Sequence, residues 1–374
     1  MYILILSRGY PTKENKILGI FEMDQARALK RLGHKVVFLS TDIRSIRRKR
    51  KWGYERKTID GIEIYGMNIP LGKVPPFIAN KASSLAINYL YKKVIEEEGK
   101  PDILHAHFTH QGYLGSLLKE KYGIPLVVTE HSSHVNKDNI RAELVEKGNI
   151  AYKNADSLIT VSPTLKKRIQ DKFGVDSIYI PNIVDTSLFK YQPREKKKQF
   201  RFVSTGHLIP IKGTETTINA FYKAFNDNEN VSLTIFGEGN ERKKLETLIR
   251  DLGLENRIKL MGQTAREDMA KEYNSSDAFV LASRSETFGV SYIEALSSGL
   301  PVLATKCGGP EVFVNNENGM LSDVDDVDGL AKNMRFIYEN VDKFNNQELS
   351  QRAREEFSSN SIGEKIVEVY RSIL

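Results

Sequence analysis

The chain has 374 residues, long enough for two domains, and its 40% hydrophobic and 28% charged content is that of an ordinary soluble protein. No apolar run approaches the ~20 residues of a membrane-spanning helix, and the single cysteine, Cys307, excludes an intramolecular disulfide and suits a reducing, cytoplasmic setting. The net charge of +7 is uneven: Arg44, Arg47, Arg48, Lys49, Arg50 and Lys51 lead into Trp52, the only tryptophan.

Residues 2–6 read as a buried first strand; they are too short for a signal peptide and have no basic segment before them. The loop through Ser7, Arg8, Gly9 and Pro11 reaches Gly19, and an amphipathic helix pattern over 21–32 stops at Gly33. The basic cluster with its tryptophan fits an anionic membrane surface, and equally a solvated loop. Nucleic acid is not expected as a partner, because no recognition motif or aromatic stacking pattern accompanies it. Strands are predicted over 35–39, 103–106, 126–129 and 157–161, and this unit ends near Ile180, Pro181 and Asn182. Polar, basic residues 190–199, with Pro193 among them, read as a connection. Strand patterns then restart over 200–205, 232–236, 258–261, 279–282 and 302–304, and an amphipathic helix closes the chain over 362–374. Strands alternating with helices predict an α/β protein with two parallel sheets.

Several segments invite a chemical reading. Five of the seven histidines, His105, His107, His110, His131 and His134, fall within one stretch. His105 and His107 share a strand face. No third ligand has a characteristic spacing, so no metal site is expected. Gly237-Glu238-Gly239 follows a strand, but Arg242 stands where a dinucleotide fingerprint needs glycine. Asp323 and Asp325 precede a helical pattern over 327–338 and read as acidic caps. Cys307, with no Cys-His signature around it, reads as a small buried filler.

The most informative stretch places Glu286 and Glu294 eight residues apart. A buried strand pattern over 277–282 leads to a loop carrying Glu286. Gly289 allows close backbone approach, and a helix over about 290–298 stops at Gly299 and Pro301. Glu294 then lies one turn inside a helix whose first N–H groups attract phosphate. One carboxylate on a loop, a second a turn deeper and an anion site between them suit a sugar, a ribose and a diphosphate. Two solvated glutamates at a helix start are the bland alternative.

The segment from Ser283 to Pro301, continuing into Gly308, Gly309, Pro310 and Glu311, resembles the Glu-x7-Glu signature of the retaining, GT-B-fold glycosyltransferases of family 4 (GT4). The resemblance implies two Rossmann-like, doubly wound parallel-sheet domains facing a cleft. These would be an acceptor-side domain of residues 1–189, joined by the helix of 360–374 crossing back, and a nucleotide-sugar donor-binding domain of residues 200–359, with 190–199 as linker. It places Glu286 by the donor sugar and Glu294 on the nucleotide ribose, with amides around Phe288, Gly289 and Val290 on the diphosphate or sugar. The loop from Gly206 to Gly213 resembles the family's Gly-Arg-Leu-x-x-x-Lys-Gly. Lys212 matches the lysine, but His207 replaces the arginine and brings one donor in place of a fixed cation. His131 stands where a family histidine faces the donor sugar, with His107 behind it. Gly19 takes the place of a first-loop glycine that touches donor phosphate and acceptor, although the usual double glycine is absent.

The implied activity is metal-independent hexosyl transfer, with retention and without a cofactor, from a nucleotide-diphosphate sugar, UDP- or GDP-linked. The implied acceptor is a glycan or lipid-linked molecule of cell-envelope polysaccharide, of the capsule or teichuronic kind, or of glycolipid biosynthesis. The expected place is the cytoplasm, at the inner face of the cell membrane if the basic cluster binds lipid. Two alternatives stay open: a GT-B nucleotide-sugar epimerase using the histidine cluster, and a non-catalytic sugar- or nucleic-acid-binding module.

Overall fold

The computed structural model describes residues 1–12, 15, 18–45, 51–72, 74–137, 139–193 and 199–374. It divides into two compact units, Met1–Ile183 with Ser359–Leu374, and Val184–Ser358. Arg47, Arg48, Lys49 and Arg50 of the basic cluster and residues 194–198 of the basic connection lie outside the described residues. Among the described residues, no helix is long and apolar enough to cross a membrane.

In unit 1 the elements run β1 (Tyr2–Ser7), α1 (Ile20–Arg31), β2 (Lys35–Ile43), β3 (Gly53–Ile59), β4 (Ile62–Ile69), α2 (Pro76–Glu98), β5 (Ile103–His107), α3 (Phe108–Tyr122), β6 (Leu126–Glu130), α4 (Ala142–Asn154), β7 (Ser157–Thr160), α5 (Pro163–Phe173) and β8 (Ile178–Tyr179). Their sheet order is β3-β4-β2-β1-β5-β6-β7-β8, parallel except for the β3–β4 pair. The order reverses between β1 and β5, where Leu4 pairs with Val37 on one side and Leu104 on the other. The hydrophobic run Ile3, Leu4, Ile5 and Leu6 is fully buried, as a strand covered on both faces requires.

Unit 2 continues with β9 (Phe200–Thr205), α6 (Thr214–Phe225), β10 (Val231–Phe236), α7 (Arg242–Asp251), β11 (Ile258–Gly262), α8 (Arg266–Asn274), β12 (Ala278–Val280), α9 (Val290–Ser297), β13 (Val302–Thr305), β14 (Gly319–Ser322), α10 (Val327–Asn340) and α11 (Asn346–Phe357). The sheet order is β11-β10-β9-β12-β13-β14, with every pair parallel. This is a doubly wound order with its reversal between β9 and β12.

The last helix, α12 (Ser359–Ile373), belongs to unit 1. Its apolar stripe Ile362, Ile366, Val367 and Tyr370 joins Met23, Ala26 and Leu29 of α1 in one buried cluster. Each Ile, Val, Leu or Met among them contributes about 1.5–3 kcal/mol on full burial. Four strands, β3, β4, β8 and β14, and one long helix extend the predicted set. The β3–β4 hairpin turns at Asp60 and Gly61, both with positive φ (52° and 69°), the geometry an Asp-Gly turn favours. β14 is short, and α2 is the long helix. The aspartates before α10 also differ from expectation. The cap is Asp326, which accepts from the Gly329 N–H at 2.8 Å. Asp323 and Asp325 instead pair with Lys306 and Arg284.

Candidate active site

In an open α/β sheet, ligands sit at the carboxyl ends of the strands where the order reverses. The loops leaving β9 and β12 carry Lys212 and Glu286 to that point of unit 2. Lys212 Nζ donates to Glu286 Oε1 at 2.6 Å, and Ser283 Oγ donates to the same oxygen at 2.7 Å. The two side chains are 22% and 11% exposed, so the pair is sheltered yet reachable. Arg284 braces it: its N–H donates to the Ile211 carbonyl at 2.8 Å, and its guanidinium reaches Asp325 at 2.8 Å and the Pro210 carbonyl at 2.6 Å. The Glu286 loop is thereby tied to the short turn that presents Lys212.

Gly289 precedes α9 with φ 101°, and a Cβ there would lie 2.7 Å from the Tyr292 ring. A side chain is excluded by conformation and by space. Tyr292 is buried and donates to the Leu281 carbonyl at 2.8 Å, which fixes α9 against the end of β12. Phe288 anchors the other flank against Phe313 and Phe357, at centroid distances of 5.6 and 5.9 Å. The first two amides of α9, those of Val290 and Ser291, precede the Tyr292 N–H, which donates to the Gly289 carbonyl at 3.1 Å, and make a ready anion site. One turn on, Glu294 Oε1 lies 3.5 Å from Arg266 Nη2. Gly237 and Gly239 pack under the His207 loop; a Cβ on either would strike the Gly206 or Leu208 carbonyl. His207 itself is exposed. Burial first of all pushes the Cys307 thiol up to about 12, so it carries no thiolate near neutral pH.

In unit 1 the histidines form a buried stack. The His105 and His107 rings lie 4.6 Å apart and nearly parallel, and His107 and His131 follow at 5.3 Å. His105 bonds Tyr370 Oη at 2.5 Å and Thr129 Oγ1 at 2.7 Å, joining α12 to β6. His131 lies 3.0 Å from His107 Nδ1 through Nε2 and 2.8 Å from Asn182 Oδ1 through Nδ1. If Nδ1 donates to Asn182, Nε2 accepts from His107, leaving the buried His107 Nε2 without a partner. Burial pushes His105 and His131 down to about 3 and His107 well below its ordinary value. The stack is therefore neutral. Beneath it, buried Glu130 accepts from Tyr152, Thr109 and the His131 and Ser132 amides at 2.6–3.0 Å. Gly19 caps α1 with φ 67° and lies against the Gly9 carbonyl. Among the described residues, no three His, Cys, Asp or Glu are placed to hold a metal ion.

Two family models match the chain, Glycosyltransferase Family 4 over residues 21–188 and Glycosyl transferases group 1 over residues 185–356. The chain belongs to glycosyltransferase family 4. This glycosyltransferase is 28% identical over 316 residues to an uncharacterized glycosyltransferase of Methanocaldococcus jannaschii, covering 82% of this chain and 84% of that one. It is 26% identical over 318 residues to the N-acetyl-alpha-D-glucosaminyl L-malate synthase of Bacillus anthracis, covering 80% and 79%. Its fold matches sucrose-phosphate synthase from Thermosynechococcus elongatus at TM-score 0.81 and 19% identity, over 100% of this chain and 99% of that one. Anabaena HepE in complex with UDP matches at TM-score 0.77 and 21% identity, over the whole of both chains. The fold is GT-B.

Within the glycosyltransferase, the structure brings Lys212, Glu286, Phe288, Gly289, Val290 and Glu294 to one end of the unit 2 sheet, and Gly19, His107 and His131 to one end of the unit 1 sheet. Arg266, Arg284 and Asn182 join them without any sequence expectation. Arg266 left a local signal. It is the first residue of α8, where a cation opposes the helix dipole. Such a position calls for an anionic partner, and Glu294 is one.

Proposed function

We propose that this glycosyltransferase transfers a hexosyl group, with retention, from a nucleotide-diphosphate sugar bound by unit 2 to a glycan or lipid-linked acceptor of cell-envelope polysaccharide or glycolipid biosynthesis. The observation that carries the reading is the Lys212–Glu286 contact at the β9/β12 reversal, beside the open amides of α9. A diphosphate seated there meets a lysine and a helix start, two sources of positive potential that strengthen as charge develops on the leaving group. Lys212 has three donors, so it can hold a phosphate oxygen and Glu286 together. Glu286 would then stand at the sugar, with Glu294, steadied by Arg266, accepting from the ribose hydroxyls. His207, exposed on the neighbouring loop, is the third diphosphate candidate. Relatives lend support: HepE has been solved with UDP and with UDP-glucose.

In unit 1, His131 would shape the site as a neutral, fixed ring backed by His107, and Gly19 would bring the first loop close to substrate. The epimerase alternative needs free acid and base groups at the sugar. The described histidine stack offers few, because both nitrogens of His105 and His131 are engaged. The membrane part of the reading gains a surface. α2 exposes Phe77 (71%), Leu85 (65%) and Tyr89 (44%), and the Tyr89 ring meets Tyr54 of β3, the strand that follows the basic cluster, at 6.1 Å.

A thermal-shift screen with UDP, GDP and ADP, each with and without EDTA, tests the core of this function. One nucleotide at 100 times its Kd should add ~2.7 kcal/mol of stability, undiminished by EDTA. Absence of any shift, or a shift that requires magnesium or manganese, contradicts the reading. Anomeric analysis of the product then decides retention.

A further inference from the structure

Unit 1 has its own sheet reversal, between β1 and β5, and a cation stands there. Arg8 directly follows β1, and its guanidinium carbon lies 4.0 Å from the centroid of the Phe108 ring, which directly follows β5. Phe108 adopts φ 68°, a strained conformation for a bulky residue and one that structures retain mainly at functional sites. The strained backbone supplies the flat surface on which Arg8 rests and turns the ring towards His131, 5.0 Å away.

The guanidinium is held but not consumed. Among the described residues, its nearest acidic atom is Glu22 Oε1, 3.9 Å away, too far for a hydrogen bond. Glu22 is fully buried, already receives Ser7 Oγ at 3.0 Å, and has its pKa raised by that burial, which weakens it as a counter-ion. The Arg8 side chain is 51% exposed. Further cations gather on the loop after β6. The exposed His134 ring is held below its ordinary pKa by desolvation and then by Lys137, Arg141 and Arg8. Stacked arginines with free forks are suited to planar or tetrahedral oxyanions.

We propose that Arg8, braced on Phe108 at the β1/β5 reversal, receives an anionic group, a phosphate or a carboxylate, carried by the acceptor. This deepens the proposed function and rests on unit 1 being the acceptor side. A neutral glycan terminus would leave the fork unfilled; an acceptor with a charged group beside its nucleophilic hydroxyl would be gripped and oriented.

The test uses the full chain carrying Lys212→Ala, which removes the phosphate-binding cation of unit 2. Calorimetric titration with inorganic phosphate and with succinate should show saturable binding of at least one of them. Preference for phosphate assigns a phosphomonoester, and preference for succinate a carboxylate. Adding Arg8→Gln should weaken that binding about tenfold or more, the loss expected for a charge-assisted hydrogen bond. Arg8→Lys, which keeps the charge without the stacked fork, should fall between the two and serves if the glutamine variant is unstable. No saturable anion binding to the Lys212→Ala protein, or equal affinity after Arg8→Gln, overturns the proposal. Nucleoside-diphosphate binding by the Arg8→Gln protein, measured separately, reports on the donor reading alone.

Discussion

Lys212 and Glu286, 74 positions apart in the chain, meet at 2.6 Å across the loops that leave two adjacent strands. The contact pairs the lysine of the Gly206–Gly213 loop with a carboxylate oxygen that Ser283 Oγ also holds. In the proposed function, substrate enters a site whose cation is already shared, so the consequences of breaking the pair are specific.

Glu286→Ala should separate binding from turnover. Removing the carboxylate frees Lys212 for phosphate, so nucleoside-diphosphate affinity should hold or rise. kcat should fall by about 100-fold or more, as when a single group that stabilises transition-state charge is lost. Calorimetry on the nucleotide and steady-state kinetics on the complete reaction together decide it. A parallel loss of affinity and kcat would show that Glu286 serves nucleotide binding.

Glu294→Ala should behave in the opposite way. Loss of a charged acceptor to ribose hydroxyls should weaken nucleotide binding by about 1.5–3 kcal/mol. Arg266→Ala should weaken it less, because Arg266 acts by steadying the carboxylate. The double variant should then lose little more than Glu294→Ala alone. Strictly additive losses in this double-mutant cycle would mean that the two residues act independently.

His207→Arg tests the departure from the family loop. An arginine there places a fixed cation with a bidentate fork beside Lys212, so nucleoside-diphosphate affinity should rise. Unchanged affinity places His207 away from the phosphate.

The buried histidines make stability depend on pH. Their folded-state pKa values are depressed, to about 3 for His105 and His131 and about 4 for His110. Below the unfolded value near 6.5 the unfolded chain binds protons that the native chain refuses, so stability falls as pH drops through that region, down to the folded values. Denaturant unfolding followed at pH 7.5 and 5.0 should show lower stability at pH 5.0. His105→Asn should reduce the difference, even though it lowers stability at both. An identical pH dependence in this variant would assign the effect to other groups.

The membrane reading predicts salt-sensitive co-sedimentation with anionic liposomes and none with neutral ones. Each basic residue near such a surface contributes about 1 kcal/mol. Glutamate at Arg47, Arg48, Lys49 and Arg50 should abolish binding, and Phe77→Glu with Leu85→Glu should weaken it, with nucleotide binding intact in both proteins. Wild-type protein that ignores anionic liposomes removes the support for a lipid-linked acceptor.

Local pattern was enough to determine much of this protein. The apolar runs of β1, β5, β9 and β12 alternate with helical stripes, and Gly289, Gly299 and Pro301 mark the limits of α9, because backbone conformation and side-chain period act over a few residues. The Glu286–Glu294 spacing and the lysine of the Gly206–Gly213 loop were legible for the same reason. The β3–β4 hairpin, which was not among the predicted elements, also has a local signature in Asp60-Gly61. The pairings themselves were not legible. Tyr370 reaches His105 across 265 positions, Asn182 occupies the His131 ring, Arg266 finds Glu294, and Arg8 settles on Phe108. Which strand ends become neighbours depends on the sheet order, and that order is set by how all the helices of a unit bury their apolar faces at once. Only the assembled sheet decides which loops share a strand edge, and hence which charges meet.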